Sequence, residues 1–309
     1  MRRTRTIRAS VAVCVAALAL ALAGCGLGAG TAPGHVSLLV TRGFGAQTLI
    51  SNPAPKIDGA DTVIRMLERN AKVTTAFGGG FVQSISKISG GGGSAWFYYV
   101  NGVQAGRGAS STRLHDGDHV WWDFHDWSQA DSIPAVVGSF PEPFVDGYGG
   151  KRLPLRIECT QPSRKTCSTV EGVFSQMKIL ASLGCLLCSA ANQSLRVVVG
   201  PLDTLTSDPA AEQLTGPPAR SGVYARFTDR GRRLELLNQD GHVVTTAGAG
   251  AGLIAATRFH GQPPVWYVTG TDPAGVSAAV QAFNTQTLDG HFAVAVVADA
   301  AIPLPDAER

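Results

Sequence analysis

Between Gln129 and Gly150 the chain carries Pro134, Pro141, Pro143 and several glycines, in an irregular run that includes Ser139-Phe140-Pro141-Glu142-Pro143-Phe144. Proline fixes φ and removes a backbone donor, so neither a helix nor a central strand can run through this stretch. It divides the chain into two unlike parts, residues 35–128 and 151–309, each long enough to bury its own core. The stretch itself, 129–150, reads as an ordered but irregular connector.

The first residues set the address. Arg2, Arg3, Arg5 and Arg8 form a basic head, and Val11 to Ala23 is almost wholly Ala, Val and Leu. That apolar run is too short to span a membrane comfortably and has the form of a secretory signal. Leu22-Ala23-Gly24-Cys25 matches the bacterial lipobox, which predicts cleavage after Gly24 and lipidation of Cys25. Residues 1–24 are then a lipoprotein signal peptide and residues 25–34, small and Gly-rich, a flexible tether. Two or three acyl chains hold a protein firmly to a bilayer. The expected location is the outer face of the cytoplasmic membrane, with the membrane itself as first partner.

Charge narrows the partners. The chain has 26 basic and 23 acidic residues, and four of the basic ones lie in the leader. The mature chain is left with 22 against 23, nearly neutral. Nucleic-acid binding, which needs concentrated basic surface, is not expected.

In the first part His35 to Arg42 alternates around Val36, Leu38 and Val40, and Thr48 to Ser51 can be its return strand. Asp58 or Asp61 can cap a helix whose Val63, Met66, Leu67 and Ala71 recur at helical spacing. Gly78-Gly79-Gly80 ends that region and Phe81 to Ile88 alternates again. Trp96 to Val100 is an aromatic strand that turns at Asn101-Gly102, a two-residue hairpin signal. Gly117-Asp118 opens a last strand, His119 to Trp127.

Trp96-Phe97-Tyr98-Tyr99-Val100-Asn101-Gly102, then Arg107-Gly108, then Gly117-Asp118-His119-Val120-Trp121-Trp122-Asp123, resemble a small bacterial domain family of unknown function related to the C-terminal domain of transcobalamin and intrinsic factor. The upstream helix with Asp61-Thr62-Val63 fits the same pattern, so the resemblance covers residues 35–128. It implies a β-grasp fold. In the cobalamin carriers this domain covers one side of the corrin ring, so a corrinoid is the sharpest ligand the resemblance suggests. The chain has no room for the large helical barrel that forms the carriers' other half-site.

Read from its own residues, the last strand places Val120, Trp122 and Phe124 on one face and His119, Trp121, Asp123 and His125 on the other. With Trp96 and Tyr98, the second set makes an aromatic platform bearing polar groups, the usual composition of a small-ligand or partner site. The plainer reading packs these aromatics into the core or against the other domain. His119, Asp123 and His125 supply at best half a metal site, and no metal is expected.

In the second part, Leu153 to Cys159 is a strand, and Ser168-Thr169-Val170-Glu171 is a capping box. It should open a helix with Val173, Met177 and Leu180 on one face and Gly184 as its stop. Leu195 to Val199 suits a strand buried on both faces. Pro209 to Leu214 is a short helix. Val223 to Phe227, Leu234 to Leu237 and Val243 to Thr245 form a meander with a turn at Asp240-Gly241. Leu253 to Thr257 and Trp266 to Thr269 are further strands. Asp272-Pro273 opens a helix with Val276, Val280 and Phe283 on one face, and Phe292 to Val297 is the last strand. The expected class is α+β: the β-grasp domain followed by an α/β sandwich-type domain of no recognised family.

Cys159, Cys167, Cys185 and Cys188 lie in an exported chain, so disulfides lead, with Cys159–Cys167 and Cys185–Cys188 favoured among three connectivities. A redox pair at Cys185-Leu186-Leu187-Cys188 and a four-Cys zinc site are the rivals. Gly250-Ala251-Gly252-Leu253-Ile254-Ala255 fits a dinucleotide string, but Gly261 and Pro263-Pro264 cut off the helix it needs. Thr269-Gly270-Thr271-Asp272, a strand end meeting a helix start, is an anion-binding turn or a simple N-cap. No catalytic set is present and no cofactor is called for. The function expected is binding of a small ligand, or of a transporter or other envelope protein, as an accessory to uptake. The alternatives are a structural or assembly protein of the envelope, and an extracytoplasmic thiol oxidoreductase.

Overall fold

The computed structural model describes residues 30–77, 80–160, 163–188 and 193–307. The signal peptide, residues 25–29 of the tether with Cys25, and Gly78-Gly79 lie outside the described residues.

The first part runs β1 (Ser37–Arg42), β2 (Gln47–Asn52), α1 (Val63–Asn70), β3 (Val73–Ala76), β4 (Phe81–Ile85), β5 (Ile88–Ser89), β6 (Ser94–Val100), β7 (Val103–Gln104) and β8 (His119–Asp126). Five strands form one sheet in the order β2-β1-β8-β6-β7, with β1 parallel to β8 and the other neighbours antiparallel. Asn101 at φ 53° and Gly102 at φ 73° make the tight turn between β6 and β7, a conformation these two residue types adopt at least cost. Val63, Ile64, Met66 and Leu67 of α1 pack on one face of the sheet against Trp96, Tyr98, Val120 and Trp122. The short sheet β3-β4-β5 contributes Val82 and Ile85 to the same core.

The acidic cap expected for α1 is replaced. Thr62 precedes the helix with no side-chain cap bond. The buried Asp61 carboxylate instead accepts from Arg69 Nε at 2.8 Å and Asp58 N at 3.0 Å. A bond to a guanidinium is charge-assisted and outcompetes a neutral cap.

The second part runs β9 (Leu155–Cys159), α2 (Arg164–Gln176), β10 (Ala181–Cys185), β11 (Leu195–Pro201), α3 (Pro209–Glu212), α4 (Pro218–Ser221), β12 (Ala225–Thr228), β13 (Arg233–Leu237), β14 (Val243–Ala247), β15 (Gly252–Thr257), β16 (Val265–Gly270), α5 (Pro273–Ala282), α6 (Thr285–Leu288), β17 (Ala293–Val297) and β18 (Ala300–Leu304). Seven strands form a mixed sheet in the order β10-β9-β11-β16-β15-β17-β18. β10, β9, β11 and β16 are mutually parallel, and β15, β17 and β18 join antiparallel. β12, β13 and β14 form a separate meander. Taken whole, the chain is a mixed α/β protein built mainly of strands, in several sheets.

One face of the seven-stranded sheet packs on α2 and α5, with Phe140 and Phe144 between them. The other packs on the meander, the short helices and the first part of the chain. Every residue of β11 is buried, as its β-branched run requires. It carries one charge inward. Arg196 lies 2.7 Å from Glu158 Oε2 and 2.6 Å from Asp208 Oδ2. Burial opposes its charge, but the two carboxylates more than offset this and raise its pKa.

Helix α2 starts four residues before the expected capping box. Ser163 is its N-cap position, and Ser168 lies inside the helix, donating to Arg164 O. The buried face is Cys167, Val170 and Phe174, because Cys167 is tied to Cys159 and turns that side toward the sheet. Leu180 is consequently 94% exposed, and Gly184 sits within β10 rather than ending a helix. β18 is an additional strand. Its Pro303 is tolerated because β18 is an edge.

The connector is a shared core element. Ala130, Ile133 and Val136 enter the core between the two parts, while Ala135, Val137, Phe140 and Phe144 enter the core beneath α2 and α5. Its backbone pairs with both sides, Val136 N to Gly102 O at 2.9 Å and Val137 N to Phe292 O at 3.2 Å.

Candidate ligand-binding cleft

His119, Trp121, Asp123 and His125 share one face of β8, as the period of two requires, but that face is covered. Trp121, Asp123 and His125 are buried. Asp123 accepts from Thr41 Oγ1 at 2.5 Å, Phe44 N at 3.0 Å, Gly45 N at 2.9 Å and His125 Nδ1 at 2.8 Å. Trp121 Nε1 donates to Thr41 Oγ1 at 2.7 Å. The His125 ring is stacked between Phe44 and Phe97, centroids 4.7 and 4.5 Å away, and meets Phe292 edge-on at 5.4 Å. Phe292 also packs edge-on against Trp121, and Tyr224 against Phe44. The mixture of rings and polar groups is therefore the seam that joins the two parts of the chain.

Trp96 and Tyr98 lie on the opposite face of the sheet, so the six expected platform residues do not meet. Trp96 Nε1 donates to Ile88 O at 3.0 Å, Tyr98 OH donates to Arg107 O at 2.5 Å, and the Tyr98 ring stacks on Trp122. His119 stands apart at the end of the seam, its Nδ1 2.8 Å from Ser37 Oγ and its Nε2 buried without a partner. It lines a crevice of about 440 Å³ with Asp289, His291 and Asn52. Burial lowers the His119 pKa, against the opposing pull of Asp289. Among the described residues, no three His, Cys, Asp or Glu side chains gather so as to hold a metal ion.

The turn Thr269-Gly270-Thr271-Asp272 is closed to anions. Thr269 Oγ1 donates to Gly200 O, Thr271 N and Oγ1 to Ala251 O, and Asp272 caps α5 by accepting from Gly275 N at 2.8 Å. Its other oxygen accepts from Gly250 N at 2.9 Å, leaving a negative group where an anion would sit. Gly250-Ala251-Gly252 leads into β15, not a helix.

The four cysteines pair as Cys159–Cys167 and Cys185–Cys188. Cys185 ends β10 and is followed by a turn whose Leu187 N donates to the buried Glu158 at 3.1 Å. No helix begins at Cys185, so no helix N-terminus is there to stabilise a thiolate.

The open concavity lies beside the β6–β7 hairpin. A cleft of about 730 Å³ is bounded by β7, the loop 105–118, Tyr148 and Gly149 of the connector, Lys151 just after it, and Arg258 beyond the end of β15. Four cations line it: Arg107, Arg113, Lys151 and Arg258. Among the described residues none of the four has a carboxylate partner. Arg258 is steadied by neutral groups, with Nε donating to Gln262 O at 3.0 Å and the guanidinium 5.9 Å over the Tyr148 ring. The one acid in the wall, Asp118, is buried and accepts from His115 N at 2.8 Å and Asn101 Nδ2 at 3.3 Å. Burial raises the Asp118 pKa. A second hollow of about 540 Å³ continues past Tyr148 and Lys151 to His260 and Gln262.

Sequence reasoning misses this cleft because its walls come from three distant segments, and a near-neutral mature chain gives no hint of local concentration. Of its cations, only Arg107 lies in a motif that the sequence marks out.

Residues 60–126 match the family model of DUF4430, a domain of unknown function, over the stretch from just before α1 to the end of β8. No curated protein matches the chain. Among solved structures, the chain is similar to a Ruminococcus gnavus protein described as a "putative metal binding protein", at 16% identity and a TM-score of 0.24, over 30% of this chain and 97% of that one.

Proposed function

We propose that this is a lipid-anchored extracytoplasmic binding protein whose cleft takes a small anionic ligand. The carrying observation is that Arg107, Arg113, Lys151 and Arg258 line one cleft and, among the described residues, have no carboxylate partner, while the one acid among its described lining residues is buried and engaged. Cations held close together without counter-charges repel one another, and an anion relieves that repulsion. The cleft volume falls in the range of small-ligand sites.

The remaining parts of the reading rest on separate supports. Two disulfides suit an oxidising compartment. Among the described residues no helix is long and apolar enough to cross a membrane. The lipobox Leu22-Ala23-Gly24-Cys25 supports attachment through lipid on Cys25. The first part reads as a β-grasp domain related to the transcobalamin C-terminal domain, supported by the order β2-β1-β8-β6, its parallel central pair and the packed helix α1. The corrinoid expectation rests on the family resemblance and on the aromatic strand β8, whose polar face the seam occupies. A corrinoid would have to use the cationic cleft, where the phosphodiester of cobalamin offers an anion and cobinamide offers none.

Calorimetric titration with inorganic phosphate, pyrophosphate, citrate, cobalamin and cobinamide tests the reading. Binding of at least one of the anions below millimolar concentration, with cobinamide silent, is the expected result. Silence from all five removes the small-anion reading and leaves the envelope-assembly alternative, which predicts a cross-linked protein partner instead.

A further inference from the structure

Among the described residues, nothing covers two aromatic side chains at one end of the first part. Phe77, which follows β3, is 91% exposed, and Phe81, which opens β4, is 44% exposed. Ala76 and Phe81 are the last cross-strand pair of the β3–β4 hairpin, so both rings stand at its outer end. A phenylalanine as exposed as Phe77 leaves nearly its whole ring in water, which is unfavourable unless something covers it.

The position of the chain's start says what that cover is. Gly30 lies against Ala60, immediately before α1. From there a chain of contacts leads to the hairpin end. Val63 N donates to Thr112 O, Ile64 N donates to Ala109 O, and Gly108 lies against the Gly80 carbonyl. The emerging N-terminal segment, the start of α1, the loop 107–113 and the aromatic hairpin end therefore occupy one end of the molecule. Gly30 is only five residue steps from Cys25, a stretch that spans at most about 18 Å when fully extended. If Cys25 carries the lipid, Gly30 is held within that distance of the bilayer, and the hairpin end lies a few contacts beyond it. Arg65, exposed on the first turn of α1, lies near the same end and suits a phospholipid headgroup layer.

We propose that Phe77 and Phe81 dock into the phospholipid surface to which Cys25 is anchored, so that the protein lies on the membrane rather than swinging from a tether. The inference rests on the lipid-anchor reading; loop 107–113, which it brings near the bilayer, also lines the cleft, whereas Phe77 and Phe81 do not. Phenylalanine buried to the depth of the headgroup–acyl boundary gives an interfacial contact without a spanning segment.

The full chain purified from membranes, carrying Phe77→Cys labelled with an environment-sensitive NBD fluorophore, tests it after reconstitution into vesicles of phosphatidylcholine and phosphatidylglycerol at 3:1. Phe77 has almost no packing to lose, and the four other mature cysteines outside Cys25 are paired. The label at position 77 is expected to brighten at least twofold and shift to the blue, while the same label in Thr246→Cys on β14 does not change. A water-like emission at position 77 in vesicles overturns the proposal. So does a label that is already bright before vesicles are added, since a second copy of the chain would then be the cover. Flotation of the same samples reads the anchor separately. Protein that floats with a wet label keeps its anchor and loses the docking, whereas protein that does not float has lost the anchor itself.

Discussion

His125 Nδ1 lies 2.8 Å from Asp123 Oδ1 in the seam between the two parts of the chain, and neither side chain reaches solvent. The carboxylate also takes donors from Thr41, Phe44 and Gly45, and so fixes the turn that carries Phe44 into contact with Tyr224 and Phe292. Removing one member of a buried charged network strands the others. Asp123→Ala is expected to cost about 3–5 kcal/mol. Urea denaturation followed by tryptophan fluorescence measures it; a loss below about 1 kcal/mol would mean the network is not what holds this turn.

Gly45 tests the same seam through its backbone. It sits at φ +84°, and a Cβ there would run into the Gly290 carbonyl across the seam. Gly45→Ala is expected to lower stability by about 2 kcal/mol or more. Because the damage is at the junction, limited proteolysis should cut within residues 129–150 in the variant well before it does in the parent. Equal cleavage rates would show that the seam tolerates the added methyl.

Glu142 gives a pH signature. Burial pushes its carboxyl up to about 7, while Asp146 N donates to it and Asp146 and Asp118 add negative charge nearby. A carboxyl raised in the folded state supports the fold below its ordinary value near 4.5, and that support is lost as pH rises through about 7. Glu142→Gln keeps an acceptor for Asp146 N and removes the charge. It is expected to match the parent near pH 4 and to exceed it by about 1–3 kcal/mol at pH 8.5. A difference that does not grow with pH would place the charged form in water.

The two disulfides should separate by access. Cys167 is buried beneath the sheet, whereas Cys185 and Cys188 are exposed at an edge strand. Under mild dithiothreitol, alkylation read by mass spectrometry should mark Cys185 and Cys188 first. Replacing Cys159 and Cys167 by Ser should cost about 2–3 kcal/mol. Alkylation of Cys167 ahead of Cys185 would contradict the burial order.

Much of the fold could be read from local signals. Asn101-Gly102, the alternation in β1 and β8, the buried run of β11 and the Asp272-Pro273 helix start each depend on neighbours in sequence, and all are present. Departures come where a partner outside the local pattern decides. Asp61 left its cap for Arg69, and the link from Cys159 to Cys167 set the roll of α2. The same holds for function. Period two placed His119, Trp121, Asp123 and His125 on one face correctly, yet nothing local could reveal that Phe292, some 170 residues on, covers most of it. The cationic cleft is invisible for the same reason, since Arg107 and Arg258 meet only through the tertiary fold.

The most direct test of the anion cleft is the affinity of a Lys151→Gln, Arg258→Gln double variant, titrated calorimetrically with whichever anion of the panel binds the parent. Both residues are at the cleft surface and lack carboxylate partners among the described residues, so the fold should survive. The account predicts at least a tenfold loss of affinity, about 1.4 kcal/mol, with an unchanged unfolding midpoint. Unchanged affinity in a folded double variant would contradict it and place the anion elsewhere.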